Sequence, residues 1–347
     1  MPTIAPDTAV GGKGTRDADA TMELIMRKTT PALFAVAAIL AATLSVPAHA
    51  QATRTWVSGN GIDNDPCSRQ LPCKTLAFAI TKTAAGGEIA VLDPGGFAPV
   101  TITKAISIVS ESGSGEAVVA NFGPECITIN AGPTDIVILR GLVIDGLQSA
   151  TAGIHFNSGG ALHVENSIVK NVRGANGVGI NFAPNAAADL HVSNTTLVFN
   201  GSVNGGGIAV KPSGSGLVRA VFDRVVTKQN VVGLLIDGSA STGTIRATVR
   251  DSMIATNSGS GLWARSPAGA ATSVFLVNSA IVENATTGIS AEGANATVVL
   301  LGSSIMGNSI GISAPSGGKF YSYKTNAIGF NFSSDGAVAP GNVLPLN

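Results

Sequence analysis

The sequence predicts an all-β fold, a parallel β-helix, with one short capping helix near its N-terminal side. Three observations carry this reading. A single unit repeats from Asp135 onward. Its Gly-aliphatic pairs, Gly153-Ile154, Gly179-Ile180, Gly207-Ile208, Gly233-Leu234, Gly261-Leu262, Gly288-Ile289 and Gly311-Ile312, recur at a nearly constant interval. Inside a unit the apolar residues alternate, as in Leu162 and Val164 around His163, which is the period of a strand. The composition agrees: 43 glycines, 45% apolar, 12% charged and 5% aromatic residues in 347 suit a narrow, glycine-punctuated β tube.

The interval falls within the period of roughly 20–50 residues that marks a solenoid, because a unit so small cannot bury its own apolar face. No unit holds the helical periodicity that leucine-rich, ankyrin or tetratricopeptide repeats require. Disorder is excluded by the aliphatic content. Nucleic acid is not an expected partner, since 21 basic side chains balance 21 acidic ones and phosphate binding needs a basic surplus.

The first fifty residues read as targeting sequence. Met26-Arg27-Lys28, the apolar run from Ala32 to Val46, Pro47 and Ala48-His49-Ala50 before Gln51 form the pattern of a cleavable secretion signal over 26–50. The run is shorter than the about 20 apolar residues a membrane span needs. An uncleaved anchor is therefore the weaker reading, and no span is expected after cleavage. Residues 1–25, polar and aperiodic before Met26, read as an upstream extension or an unstructured leader.

Residues 51–87 read as an N-terminal cap. Thr55–Ser58 suggests a strand and Asp63–Cys73 a loop, whose Cys67 and Cys73 are close enough for a disulfide in an oxidising compartment. A zinc reading lacks ligands. Cys126, in Cys126-Ile127-Thr128-Ile129, reads as a buried, inert strand thiol. Lys74–Ala84 carries Leu76, Phe78, Ala79, Ile80 and Thr83 near helical spacing and ends at Gly86-Gly87. Such a helix would cover the exposed strand edge of the first coil.

Residues 88–318 read as about nine coils, a rod roughly 45 Å long at about 4.8 Å per coil. A second anchor runs in phase: Asn171, Asn200, Asn230, Asn257, Asn284 and Asn308. Corners need positive φ, which Gly takes freely and Asn tolerates, and stacked asparagines can bond in a ladder. Residues 319–347 read as a C-terminal cap or tail, in which Tyr321, Tyr323, Phe330 and Phe332 fold over the last coil.

The order of elements at the N-terminal side carries a family resemblance. A signal is followed by Cys73-Lys74-Thr75-Leu76 with Ala79-Ile80, then Gly86-Gly87-Glu88-Ile89, Asp93-Pro94-Gly95-Gly96-Phe97 and Val100-Thr101-Ile102-Thr103-Lys104. Over residues 54–330 this resembles exported bacterial members of the right-handed parallel β-helix, or pectin lyase-like, superfamily. The resemblance implies a right-handed coil and is weak for function, since that fold hosts lyases, hydrolases, esterases, adhesins and proteins without activity.

Enzymes of that superfamily work with clustered acids, calcium or an arginine base. Asp223 and Asp251, one repeat interval apart with Arg224 and Arg250 beside them, are read as stacked neighbours. Two such carboxylates could act as nucleophile and acid. Asn166, Asn194 and Asn278 are read in the same column, which favours a corner role. Asp145 and Asp237, each before Gly, read as turn residues. His163 and His191 read as an outward stacked pair, with Ala220 and Thr248 following in their file. No third ligand is evident, so no metal and no cofactor is implied. Trp263, after Gly261-Leu262, points outward as a carbohydrate or partner contact, or packs under a loop.

Two functions follow. The first is an exported, non-enzymatic β-helix presenting an extended surface to polysaccharide, a cell-surface component or a protein. The alternative is a carbohydrate-active enzyme, a lyase or hydrolase of acidic polysaccharide, with Asp223 and Asp251 as its pair. The units vary little in length, which leaves little room for the long insertions that enzymes of this fold build around a cleft. That regularity favours the first.

Overall fold

The computed structural model describes residues 51–345 apart from 65, 111–115, 122 and 204. The extension and signal read on residues 1–50 lie outside the described residues.

Three parallel sheets run the length of a β-helix: sheet A with twelve strands, sheet B with ten and sheet C with nine. Each coil passes through A, B and C in turn. Ala161–Glu165, Ile168–Lys170 and Val178–Phe182 make one coil, and Ala188–Ser193, Thr196–Val198 and Gly206–Val210 make the next. Like stacks on like: Leu162 over Leu190, Val169 over Leu197, Ile180 over Ile208. Nine coils separate the sheet A strands Thr83–Val91 and Lys319–Tyr323. The inward files are aliphatic and fully buried, with Phe156 stacked on Phe182 at 4.4 Å in the wider coils. Each such side chain contributes roughly 1.5–3 kcal/mol by leaving water.

The first coil is covered as expected, by a shorter helix. Helix α1 spans Leu76–Lys82 rather than 74–84, and the next strand begins at once at Thr83. Thr75 caps it, its Oγ1 accepting the Phe78 N–H at 3.1 Å, as N-cap hydroxyls do. The Thr83 hydroxyl donates to the Ala79 carbonyl at 2.7 Å and stops further turns. Leu76, Ala79 and Ile80 face the core. Cys67 and Cys73 are disulfide-bonded, with Cα atoms 4.9 Å apart.

The asparagine ladder is present, shifted by one coil. Asn200, Asn230, Asn257, Asn284, Asn308 and Asn331 form it, and all but the last are buried. From Asn230 on, each Oδ1 accepts both the backbone N–H and the Nδ2–H of the asparagine one coil before, as Asn257 does for Asn230 at 3.0 and 3.2 Å. Each Nδ2 also donates back to a sheet B carbonyl, Asn230 to Leu197 at 3.1 Å. The polar groups are thereby satisfied inside the core. Asn171 is not a rung; Val172 stands there, its N–H donating to Asn200 Oδ1 at 3.1 Å. Asp335 closes the far end, accepting the Asn331 N–H and Nδ2–H at 3.1 and 2.9 Å. Those two bonds, the side-chain one first, hold its carboxyl below the usual carboxylate range.

The repeated glycines have a different cause from the one the pattern suggests. None of the seven has positive φ. A Cβ on Gly233 would lie 2.6 Å from the Gly261 carbonyl oxygen and 2.8 Å from Asn257 Nδ2. The glycine file is therefore the space the ladder occupies. Positive φ belongs instead to the residue before each rung, Phe199, Gln229, Thr256 and Glu283 among them.

At the C-terminal side the coils run past Gly318. Lys319–Tyr323 joins sheet A and Ala327–Gly329 joins sheet B. The aromatic cluster does not form a cover. Phe320 enters the core, whereas Phe330 and Phe332, flanking the inward Asn331, are 90% and 84% exposed. No helix among the described residues is long and apolar enough to cross a membrane.

Candidate functional site

The corner from sheet A to sheet B is built from one residue per coil in the left-handed region: Asn166, Asn194, Arg224, Asp251, Asn278 and Gly302, with φ between 46° and 60°. The conformation costs a side chain other than glycine roughly 1–2 kcal/mol, less for Asn and Asp. Behind this file runs a second, buried ladder. Ser252 Oγ accepts the Val225 N–H at 3.0 Å and donates to the Arg250 carbonyl at 2.7 Å, and Ser279 and Ser303 repeat the pattern. Its sequence signal is the corner residue followed by a hydroxyl, in Asn166-Ser167, Asn194-Thr195, Asp251-Ser252 and Asn278-Ser279. Sequence reasoning missed that signal.

The register separates the two acids read as neighbours. Asp223 is the partner of Arg250, not of Asp251, because this coil is one residue shorter than the spacing between the two acids. Asp223 ends a sheet A strand and is 6% exposed, while Asp251 belongs to the corner file and faces solvent. Asn166, Asn194 and Asn278 share the Asp251 file only. The Asp223 carboxylate is held between Arg224 Nη2 at 2.7 Å and Arg250 Nε at 3.1 Å. Its Oδ1 is poorly aligned for a hydrogen bond to Arg250. Arg224 also donates to Asn194 Oδ1 at 2.7 Å.

Arg224 and Asp251, but not Asp223, border a shallow groove of about 500 Å³ on the outer face of sheet B. Val226, Met253, Ala280 and Ser304 stack as its floor, and Arg224, Asp251, Asn278 and Gly302 as its rim. An apolar floor with a polar rim is the composition of an interaction surface.

Trp263 lies outward on sheet C, half-buried against Leu235. Its Nε1–H donates to Glu292 Oε2 at 2.9 Å, and Arg265 lies 5.8 Å over its ring while pairing with Asp237 and Glu292. It is thus tied into an ion-pair cluster on the sheet surface. Asp237 also accepts the Ser239 N–H, and Asp145 the Leu147 N–H, each two residues on, which is turn chemistry.

His163 stacks on His191 with centroids 4.7 Å apart. The next residues in their file are Val221 and Thr248; Ala220 points inward. Burial, then the charge of His191, lowers the His163 pKa. His155 pairs through Nδ1 with Glu125, a partner one coil away that sequence spacing did not single out. Among the described residues no three metal-ligating side chains come together. Burial, then Asp145, pushes the Cys126 thiol up to about 12, so it is unreactive as a thiolate.

No protein-family model matches the chain, and no curated protein matches it. Among solved structures it is similar to one described as a rhamnogalacturonan lyase, at 14% identity and a TM-score of 0.52, over 74% of this chain and 75% of that one. A pectate lyase, Pel9A, is similar at 15% identity and a TM-score of 0.49, over 82% and 78%. The likeness to the rhamnogalacturonan lyase is one of architecture, and the chain shares its parallel β-helix fold.

Proposed function

We propose that this protein is an exported β-helix that binds polysaccharide along its outer face without cleaving it. The observation that carries this reading is the register of Asp223 against Arg250. It leaves the two acids in different environments, one neutralised by two guanidinium groups and one open on the rim. What remains is a groove with a largely apolar floor and a hydrogen-bonding rim side chain in three successive coils, Arg224, Asp251 and Asn278, about every 4.8 Å, which suits an extended chain of repeating units. The name of the rhamnogalacturonan lyase, a polysaccharide enzyme on the same architecture, agrees with a glycan ligand. Export is supported by the Cys67–Cys73 bond, which persists in oxidising compartments. A glycan array on the chain from Gln51, repeated with Arg224→Ala and Met253→Asp, tests the proposal. Binding of a polymer that both substitutions weaken is expected; binding that neither changes would overturn the groove.

The enzyme reading retains one support, since Arg224 and Asp251 line the same groove. Release of unsaturated or reducing ends from an acidic polysaccharide, abolished by Asp251→Asn, would establish it in place of simple binding.

A further inference from the structure

The connections from sheet B to sheet C differ in length from coil to coil. Residues 146–151, 171–177 and 199–205 connect sheet B to sheet C in three successive coils; 229–231 suffice in the next, 256–261 are long again, and 283–286 and 307–309 are short. The long connections stack on one another: Gly174 N donates to the Ala150 carbonyl at 2.8 Å, Gly201 N to Val172 at 2.9 Å and the Ser202 hydroxyl to Gly174 at 2.8 Å. They form a ledge, and the coil that follows it drops to a short turn.

A pocket of about 250 Å³ lies at the foot of this ledge. Phe199, Arg173 and Gly201 line it on the ledge side, Gln229 at the short turn, and Thr256 and Ser258 on the connection of the following coil. Phe199 is 44% exposed and sits at φ 57°, a conformation that is an outlier for a bulky side chain. No carboxylate lines the pocket, and Arg173 makes no ion pair with a described residue. An aromatic face, one available guanidinium and neutral hydrogen-bonding groups match a sugar ring that carries an acid group.

We infer that the pocket between Phe199 and Arg173 binds a terminal acidic sugar residue, the end of a glycan chain rather than its interior. The ledge bounds the pocket on one side and the 256–261 connection on the other, with the short turn 229–231 as the notch between them, so the space is limited along the coil axis. The sugar stacks on Phe199, and its acid group pairs with Arg173. This inference rests on the glycan reading above but uses a different corner of the coil, so the two fail separately.

The test is calorimetric titration with a tetrasaccharide ending in glucuronic acid at its non-reducing end, against its counterpart ending in glucose. The acidic probe is expected to bind about tenfold or more tightly than the neutral one, and Arg173→Ala to abolish that difference. Phe199→Gly is expected to raise Tm by relieving the left-handed strain while removing binding of both probes. Arg246→Ala, on the outer face of sheet A and in neither site, should leave the acidic probe unaffected. Equal affinity for the two probes, no binding of the acidic one, or unchanged binding by Phe199→Gly would each overturn the inference. Groove binding of the polymer would survive any of these.

Discussion

Asp223 lies across from Arg250 in the adjoining coil, its Oδ1 3.1 Å from Arg250 Nε, while Arg224 reaches Oδ2 at 2.7 Å. One carboxylate thus serves two cations, and its loss leaves both guanidinium groups short of an acceptor. Asp223→Asn is therefore expected to destabilise the fold by about 1–2 kcal/mol, read from denaturant unfolding. Two carboxylates stacked against each other would respond with the opposite sign, because neutralising one relieves repulsion. Asp251→Asn, on the open rim, should stay within about 0.5 kcal/mol of the parent.

The ladder sets a larger cost. Asn257→Ala removes the acceptor of two Asn230 donors, one of them a backbone N–H at 3.0 Å, and the donor to Asn284 Oδ1 at 2.8 Å. With several buried polar groups left unpaired, a loss of about 3 kcal/mol is expected. Asn171→Ala, one residue off the ladder at φ 57°, should lose only about 1 kcal/mol. Equal losses at the two positions would mean that the rungs are not cooperative. Gly233→Ala should match Asn257→Ala in severity, since its Cβ would displace the same amide.

What the sequence makes legible follows from what repeats. The strand period recurs in every coil and the glycine and asparagine files in most, so the inward faces and the coils are readable without coordinates. Register between neighbouring coils is not, because corner lengths change. The glycine interval set Asp223 beside Asp251, and one residue of slip moved the pair into separate files. The same slip set Asn171 on the ladder in place of Val172 and Ala220 in the histidine file in place of Val221. Pairings between coils, such as Glu125 with His155, depend on that register. The ledge behind Phe199 was hidden because total unit length conceals where the extra residues fall. Phe330 and Phe332 were read as a cover because aromatic clusters near a terminus usually bury surface; inward Asn331 turns both outward.

Thr227 marks the one polar interruption of the sheet B core file, between Leu197 and Ile254. Its hydroxyl is buried and makes no hydrogen bond. Thr227→Val keeps the shape and removes an unsatisfied group, so a gain of about 1 kcal/mol is expected. A loss on thermal unfolding would mean that the hydroxyl has a partner, such as an internal water.

The stacked histidines give the fold a dependence on mild acid. Burial first, and the neighbouring His191 second, lower the His163 pKa in the native state, whereas in the unfolded chain it returns to about 6.5. The unfolded state therefore binds the proton more readily, and stability rises with pH through this window. His163 contributes fully above the unfolded value, and part of the stability is lost as pH falls below about 6.5. Tm measured from pH 7.5 down to pH 5 should decline, and His163→Asn should flatten the decline. The imidazole resonance of His163 should titrate below the usual histidine range, and His191→Asn should move its midpoint upward by removing the adjacent positive charge. A midpoint unmoved by His191→Asn would leave burial as its sole cause and would mean that the two rings do not sense each other across the coil.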